Sequence, residues 1–230
     1  MKFPFFKKET QLASPINKNV YAKHSYSQEG EDMILAELLL GQSTGFYVDI
    51  GAYHPHRFSN TQFFYELGFR GINIEPSPDA IAIFQKERPE DINLNLGVSS
   101  AKSELTYYMF AEAALNTFDL ERVKLLERDT PYRSNSNKII PVDRLDSILK
   151  KYSRDNKIDF MNIDVEWHEM QVLESNDWNL YRPQILLIEI LDFQLDTILS
   201  HPLHIYLRKI GYKFECKTPR TCFYIDENKL

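Results

Sequence analysis

Four carboxylates close four apolar runs in this sequence. Asp49 stands in Phe46-Tyr47-Val48-Asp49-Ile50, Glu75 ends Ile72-Asn73-Ile74-Glu75, Asp164 follows Phe160-Met161-Asn162-Ile163, and Glu189 follows Ile185-Leu186-Leu187-Ile188. Runs of β-branched and aromatic residues this short read as buried strands of a parallel sheet, whose carboxyl ends open together on one crevice. The four acids are therefore expected to ring a single site. Glu75 follows Asp49 at close to the roughly 20-residue spacing at which an acidic residue takes ribose hydroxyls. A carboxylate there accepts from both hydroxyls and repels a ribose 2′-phosphate. The first turn reads Gly51-Ala52-Tyr53-His54-Pro55-His56. It lacks the three glycines that bring a pyrophosphate onto a helix N-terminus, so a phosphate-free adenosyl ligand with an amino-acid tail, as in S-adenosylmethionine, fits better. Gly51 is expected to let ligand atoms approach bare backbone.

The elements that must position these acids follow in chain order. Residues 1–24 are polar and irregular and read as an N-terminal arm, in which Phe3, Phe5 and Phe6 stand among lysines without the apolar run of a signal peptide. Residues 25–230 read as one domain. Ser27 to Asp32 predict a capped, acidic first turn for an apolar helix over 33–40 closed by Gly41. Strand 46–50, helix 61–67 stopped by Gly68 and strand 72–75 make a right-handed βαβ unit. A helix over 79–86, a third strand over 93–98 and a β segment over 105–110 come next. Residues 111–137 are charged and loop-like apart from a helix over 120–128, which predicts a substrate lid. Strand 158–165, a helix from His168, strand 185–190, a helix over 195–210 and a hairpin of 212–216 with 222–226 complete the chain.

Composition bounds the function. The 230 residues are 43% hydrophobic, 26% charged and 13% aromatic, with a formal net charge of −6, which suits a globular protein with aromatics enough to line a sizeable pocket and gives no basic stripe for nucleic acid. Two cysteines, Cys216 and Cys222, predict reduced structural thiols and a cytoplasmic setting rather than a zinc or redox pair. No run is long and apolar enough to span a membrane.

Several motifs in one order resemble a known family. Ser27-Gln28-x-Gly30-Glu31-Asp32, Tyr47-Val48-Asp49-Ile50-Gly51-Ala52 with His54-Pro55 and Ser59-Asn60-Thr61, Gly71-Ile72-Asn73-Ile74-Glu75-Pro76, and Asn162-Ile163-Asp164-Val165-Glu166 with His168-Glu169 look like the FkbM family of S-adenosylmethionine-dependent methyltransferases. The resemblance spans about residues 25–226. It implies an α/β class I methyltransferase fold: a Rossmann-like, mostly parallel seven-stranded sheet with an antiparallel C-terminal strand and helices on both faces. It also implies O-methylation of a sugar, glycan or related polar metabolite, in surface or capsule polysaccharide or secondary-metabolite biosynthesis.

Carried over by position, Asp49, Gly51 and Ala52 would hold the methionine end of the cofactor, with Asn60 or Thr61 nearby and His54 in the same turn. Glu75 would take the ribose, Pro76 and Ser77 would border the adenine, Gln28 would fold over the cofactor, and Asp164 would lie nearest the methyl group. For the acceptor hydroxyl, His168 is the first choice of general base because imidazole titrates near neutral pH, with Glu166 or Glu169 to orient it, and Asp164 is the second. A divalent metal on Asp164, Glu189 and His54 is left open, as is a homodimer. Where the family pattern has glycine, this chain has Trp167. If that glycine serves a positive φ, tryptophan costs on the order of 1–2 kcal/mol there, unless the backbone differs or the indole walls a pocket. Two other classes share the strand and ribose acid: a nicotinamide-dependent sugar oxidoreductase or epimerase, for which the glycine triplet and a Tyr-x-x-x-Lys base are missing, and a non-catalytic S-adenosylmethionine-binding domain.

Overall fold

The structure, a computed structural model, describes residues 22–153, 157–191 and 196–229. Almost all of the expected N-terminal arm lies outside the described residues. The chain runs α1 (Glu31–Leu38), β1 (Phe46–Ile50), α2 (Gln62–Leu67), β2 (Arg70–Ile74), α3 (Pro78–Glu87), β3 (Ile92–Leu94), β4 (Gly97–Val98), β5 (Ser103–Phe110), α4 (Leu120–Asp129), β6 (Ser134–Asp143), α5 (Leu145–Tyr152), β7 (Phe160–Ile163), α6 (Glu169–Glu174), β8 (Ile185–Glu189), α7 (Pro202–Lys209), β9 (Tyr212–Lys217) and β10 (Thr221–Asp226).

Seven strands form one sheet in the order β3-β2-β1-β7-β8-β10-β9. The first five are parallel, and β10 runs antiparallel to β8 and β9. This is the expected mostly parallel sheet with a reversed C-terminal strand. Its apolar residues alternate between two helix-covered faces. Val48, Ile50, Ile74, Ile163 and Ile188 pack against Leu145, Ile148 and Leu149 of α5, Val172 and Leu173 of α6 and Leu203 and Leu207 of α7. On the other face Tyr47, Phe160, Leu187 and Phe223 meet Leu35 of α1 and Phe64 of α2. Burial on both faces is why these strands read as near-continuous apolar runs.

Chain order reverses between β1 and β7, the switch point at which open α/β sheets bind ligands. The register fixes what arrives there. Ile50 pairs with Ile74 and with Ile163, and Ile163 with Ile188, so the next position on each strand sets Gly51, Glu75, Asp164 and Glu189 in one row across the sheet end. Asp49 lies two residues behind that row, level with Asn73 and Asn162, and its side chain turns to the face covered by α1 and α2.

A second sheet of three strands, β4-β6-β5, flanks the first. β5 pairs antiparallel with β6 from Ser103↔Val142 to Phe110↔Ser134. Several sequence expectations change here. The 93–98 strand is two strands in two sheets, parted at Asn95, whose Nδ2 donates to the carbonyls of Glu75 (3.0 Å) and Pro76 (2.9 Å). The loop-like span 111–137 contains α4 and the first residues of β6. The polar run Ser134-Asn135-Ser136-Asn137 becomes a strand because β5 supplies its ladder, a partner that local propensity does not report.

The 195–210 helix is shorter. Residues 198–200 form a single 3-10 turn, and α7 begins at Pro202, with the His201 ring capping Leu203 N, since proline is tolerated at the first helical position and not inside. At α1 the N-cap is Gly30 at φ 86, with no side-chain cap. Asp32 instead accepts from Ser25 Oγ, Tyr26 N and Ser27 Oγ at 2.6–2.8 Å, folding the preceding segment back on the helix. Cys216 and Cys222 lie on the adjacent strands β9 and β10 as free thiols. Burial pushes the Cys222 thiol up to about 12, in keeping with an inert structural role. Among the described residues no helix is long and apolar enough to cross a membrane.

Candidate functional site

A cleft of about 480 Å³ opens over the carboxyl ends of β1, β2, β7 and β8. Of the residues expected in a cofactor site, Gln28, Asp49, Gly51, Ala52, Asn60, Glu75, Pro76 and Asp164 line it, as does Glu166. His54, Thr61, Ser77 and His168 are not on its walls.

Glu75 extends β2 into the cleft and is 4% exposed. Its Oε2 accepts from Tyr53 N at 2.8 Å and its Oε1 from Ser77 N at 2.7 Å. Burial raises this carboxyl to about 7, against the two backbone donors that favour its charge. Each oxygen keeps a second lone pair, so two hydroxyls of one ligand can be accepted side by side. Ser77 thus serves the site through its N–H, while its Oγ caps α3 by accepting from Ala80 N.

Asp49 sits in a chain of side-chain bonds. Asn162 Nδ2 donates to its Oδ1 and Thr61 Oγ1 to its Oδ2, both at 2.9 Å, and Asn60 Nδ2 donates to Asn162 Oδ1 at 3.0 Å. Thr61 therefore acts one layer behind the cleft wall, through Asp49. Behind it lies Arg88, which is 0% exposed. Its guanidinium donates to Thr61 Oγ1 (2.8 Å), Ser59 Oγ (3.0 Å), Gln62 Oε1 (3.1 Å) and the Pro55 carbonyl, and so ties the whole 55–62 turn beneath Asp49. The His54 ring closes that turn, with its Nδ1 accepting from His56 N and Arg57 N.

Gly51 takes φ +80, and a Cβ there would overlap the carbonyl oxygen of Asp164. Glycine is required here because the backbone just after β7 passes this close. The same crowding brings the two halves of the cleft together: Gly51 lies beside Asp164, whose N–H donates to the Ile50 carbonyl.

The other half of the cleft is acidic. One carboxylate oxygen from each of Asp164, Glu166 and Glu189 lies within 4.8 Å of the others. Burial, and then the neighbouring carboxylates, push Asp164 and Glu189 well above the usual range. Burial also raises Glu166, against the Arg122 guanidinium that donates to its Oε2 from Nη2 (2.8 Å) and Nε (3.1 Å). Glu169, raised to about 7 by burial, accepts from Val165 N (3.3 Å) and Trp167 N (3.2 Å) and so pins the turn into α6. Glu166 and Trp167 both take positive φ, 51° and 78°. The backbone that favours glycine is kept, and the Arg122 guanidinium stacks over the indole at 5.3 Å. Tryptophan's strain is thus present, set against a cation–π contact.

His168 is placed differently from expectation. It is buried beside Phe118, with ring centroids 5.8 Å apart, and its Nε2 is 3.0 Å from Ser99 Oγ. Burial lowers its pKa. Phe118 is on the cleft wall and His168 is behind it, which removes the geometric reason for choosing it as base. His54 likewise does not join the acidic group, and Glu166 stands where the metal reading had placed it.

Sequence reading missed several residues. Asn162 carried a signal, a polar side chain midway along a buried strand, and Arg88 carried none. Arg57, Glu112 and Tyr53 were also missed. Arg57 forms a bidentate pair with Glu112 (3.0 and 2.9 Å) and donates to Tyr53 Oη, so the turn after β1 is joined to residues 113–115 across the cleft mouth.

A family model described as the methyltransferase FkbM domain matches residues 49–214 of this chain. Among solved structures, a methyltransferase FkbM from Methylobacillus flagellatus KT superposes with a TM-score of 0.51 at 16% identity, covering 87% of this chain and 48% of its own. The chain thus spans about half the length of that protein. Two others superpose more loosely. A precorrin-6y C5,15-methyltransferase from Geobacter metallireducens GS-15 has a TM-score of 0.41 at 12% identity, covering 90% and 93% of the two chains. An O-methyltransferase from Bacillus cereus in complex with SAH has a TM-score of 0.39 at 13% identity, covering 89% and 84%. No curated protein matches the sequence.

Proposed function

The chain belongs to the FkbM methyltransferase family, and on that premise we propose that it transfers a methyl group from S-adenosylmethionine to a hydroxyl of a sugar, glycan or related polar metabolite. The observation that carries this reading is Glu75: a buried carboxylate at a strand end, open to the cleft, with one backbone donor on each oxygen and room for two hydroxyls. That donor set suits a ribose and leaves no cradle for phosphates. Pro76 borders the adenine, and Asp49 faces the amino-acid tail with Asn60 and Gln28 near it.

S-adenosylmethionine, when bound, supplies a methyl group already activated on a sulfonium. The chain's residues then have to align an acceptor oxygen and remove its proton, and alignment alone contributes several kcal/mol. Asp164 and Glu189, which line the cleft at its β7–β8 side, would accept that hydrogen bond. Burial and the neighbouring carboxylates raise both groups, so each is a stronger base in its ionised form than an ordinary carboxylate. Tyr107, Phe118, Tyr132 and Phe58 give the cleft an aromatic wall suited to a sugar ring, and residues 112–132 supply much of it, in keeping with a lid.

Isothermal titration of the chain with S-adenosylmethionine and with NAD tests the cofactor. Binding of the first and not the second is expected, and the reverse would favour a sugar oxidoreductase. Release of S-adenosylhomocysteine against a panel of nucleotide sugars and glycans tests turnover; binding with no release from any acceptor would favour a non-catalytic binding domain.

A further inference from the structure

We infer that Asp164, Glu166 and Glu189 together hold one hard divalent cation at the acidic end of the cleft. One oxygen from each carboxylate lies within 4.8 Å of the other two, and roughly 4.2–5.2 Å is the widest separation two oxygens can have when both bind one cation at about 2.1–2.6 Å. A second observation singles this group out from ordinary acidic surface. Glu189 is 7% exposed, lines the cleft, and its Oε2 has no hydrogen-bond partner. Buried carboxylate oxygens are otherwise satisfied, as those of Asp49 and Glu75 are in the same cleft. A cation bound between the three groups would satisfy it.

The charge balance points the same way. Among the described residues the one ion pair made by this group is Arg122 with Glu166 Oε2; Arg220, also on the cleft wall, acts on Glu166 at longer range but is paired with Glu29, so the three acids hold one direct guanidinium contact. Glu189 ends β8 and Asp164 directly follows its paired neighbour β7, a rigid base for a metal site. Glu166 is fixed by Thr117 Oγ1, which donates to its carbonyl at 2.7 Å. An all-oxygen set of this kind selects magnesium, manganese or calcium over zinc or copper. A cation there would border the cleft, where it would take oxygens of the acceptor. That last consequence rests on the methyl-transfer reading; binding of the cation does not.

The test uses the full chain with no cofactor and no acceptor, so its failure is separate from failure of the methyl-transfer reading. Mn²⁺ is titrated into the protein, and the loss of the free-ion electron paramagnetic resonance signal counts what is bound. One Mn²⁺ per chain is expected, displaced by Mg²⁺ or Ca²⁺. Glu189→Gln and Asp164→Asn should each weaken it by about tenfold or more, while Glu121→Gln, on the exposed face of α4, should leave it unchanged. Far-UV circular dichroism of each variant shows that it is folded, and either buried variant suffices. No saturable Mn²⁺ binding to the wild type overturns the inference, leaving the three acids neutralised by protons. Equal binding by a folded Glu189→Gln or Asp164→Asn also overturns it and puts the ion elsewhere on the acidic surface.

Discussion

The two ends of the cleft treat buried carboxylates in opposite ways. At the β1–β2 end, Asp49 and Glu75 each have a donor on both oxygens, drawn from Asn162, Thr61, Tyr53 N and Ser77 N. At the β7–β8 end, Asp164, Glu166 and Glu189 crowd together with one guanidinium, that of Arg122, in direct contact, and Glu189 Oε2 has no partner. One end is organised before any ligand arrives. The other holds charge that awaits a proton, a cation or a substrate. One cleft can thus hold a pre-organised end and an end with uncompensated charge side by side; on the methyl-transfer reading the first would serve the cofactor and the second the acceptor.

Gly51 is where the two ends meet, and its replacement should be the most damaging single change. Gly51→Ala forces a Cβ at φ +80 into the Asp164 carbonyl, a backbone atom directly after the packed strand β7. A loss of more than about 3 kcal/mol is expected in urea unfolding. A loss under about 1 kcal/mol would mean that the ends are not held together at this point.

Glu75→Gln attacks the organised end alone. Its amide can satisfy only one of the two backbone donors and turns its NH₂ on the other, so affinity for S-adenosylmethionine should fall by about 10²-fold, or roughly 2.7 kcal/mol. The same residue gives a pH signature. With a folded value of about 7 against an ordinary 4.5, Glu75 stabilises the fold fully below about pH 4.5. That contribution, on the order of 3 kcal/mol, is lost as pH rises through about 7. Glu169 shifts the same way. Thermal melts from pH 4.5 to 8 should therefore slope downward in the wild type and less steeply in Glu75→Gln. Equal slopes would show that Glu75 is solvated in the native state.

At the crowded end, removing a charge should have the opposite sign. Glu189→Gln relieves repulsion from Asp164, Glu166 and Glu169 and is expected to stabilise the metal-free chain at pH 8 by about 1–2 kcal/mol while lowering turnover. If it destabilises instead, the acidic end is as organised as the other and the contrast disappears.

The same division marks what the sequence could disclose. The strand ends were legible because parallel strands must be apolar until they emerge, so Asp49, Glu75, Asp164 and Glu189 each stand out against their own run. Asn162 was legible on the same grounds. Residues whose meaning depends on distant partners were not. Ser134–Asn137 are polar and become strand only because β5 lies alongside. His168 stands one position before α6, where a base is plausible, and nothing local says that Phe118 covers it and Ser99 claims its Nε2. Arg88 makes its bonds to residues 55–62, a relation that no spacing rule encodes. Pro202 was a local signal, and it sets where α7 starts.

Trp167 offers the finest test of the acidic end, because two small effects at one residue can be separated. Its φ of 78° disfavours any side chain by about 1–2 kcal/mol, and its indole beneath Arg122 returns about 0.5–1 kcal/mol. Trp167→Gly loses the indole and relieves the backbone, so its stability should lie within about 1 kcal/mol of the wild type. Trp167→Ala loses the indole and relieves nothing. It should be the less stable of the two by about 1 kcal/mol, the reverse of the Ala-over-Gly order found where φ is negative. Chemical denaturation of the pair decides it. An alanine variant at least as stable as the glycine variant would mean that this turn relaxes out of the left-handed region, and with it the placement of Glu166 against Asp164 and Glu189.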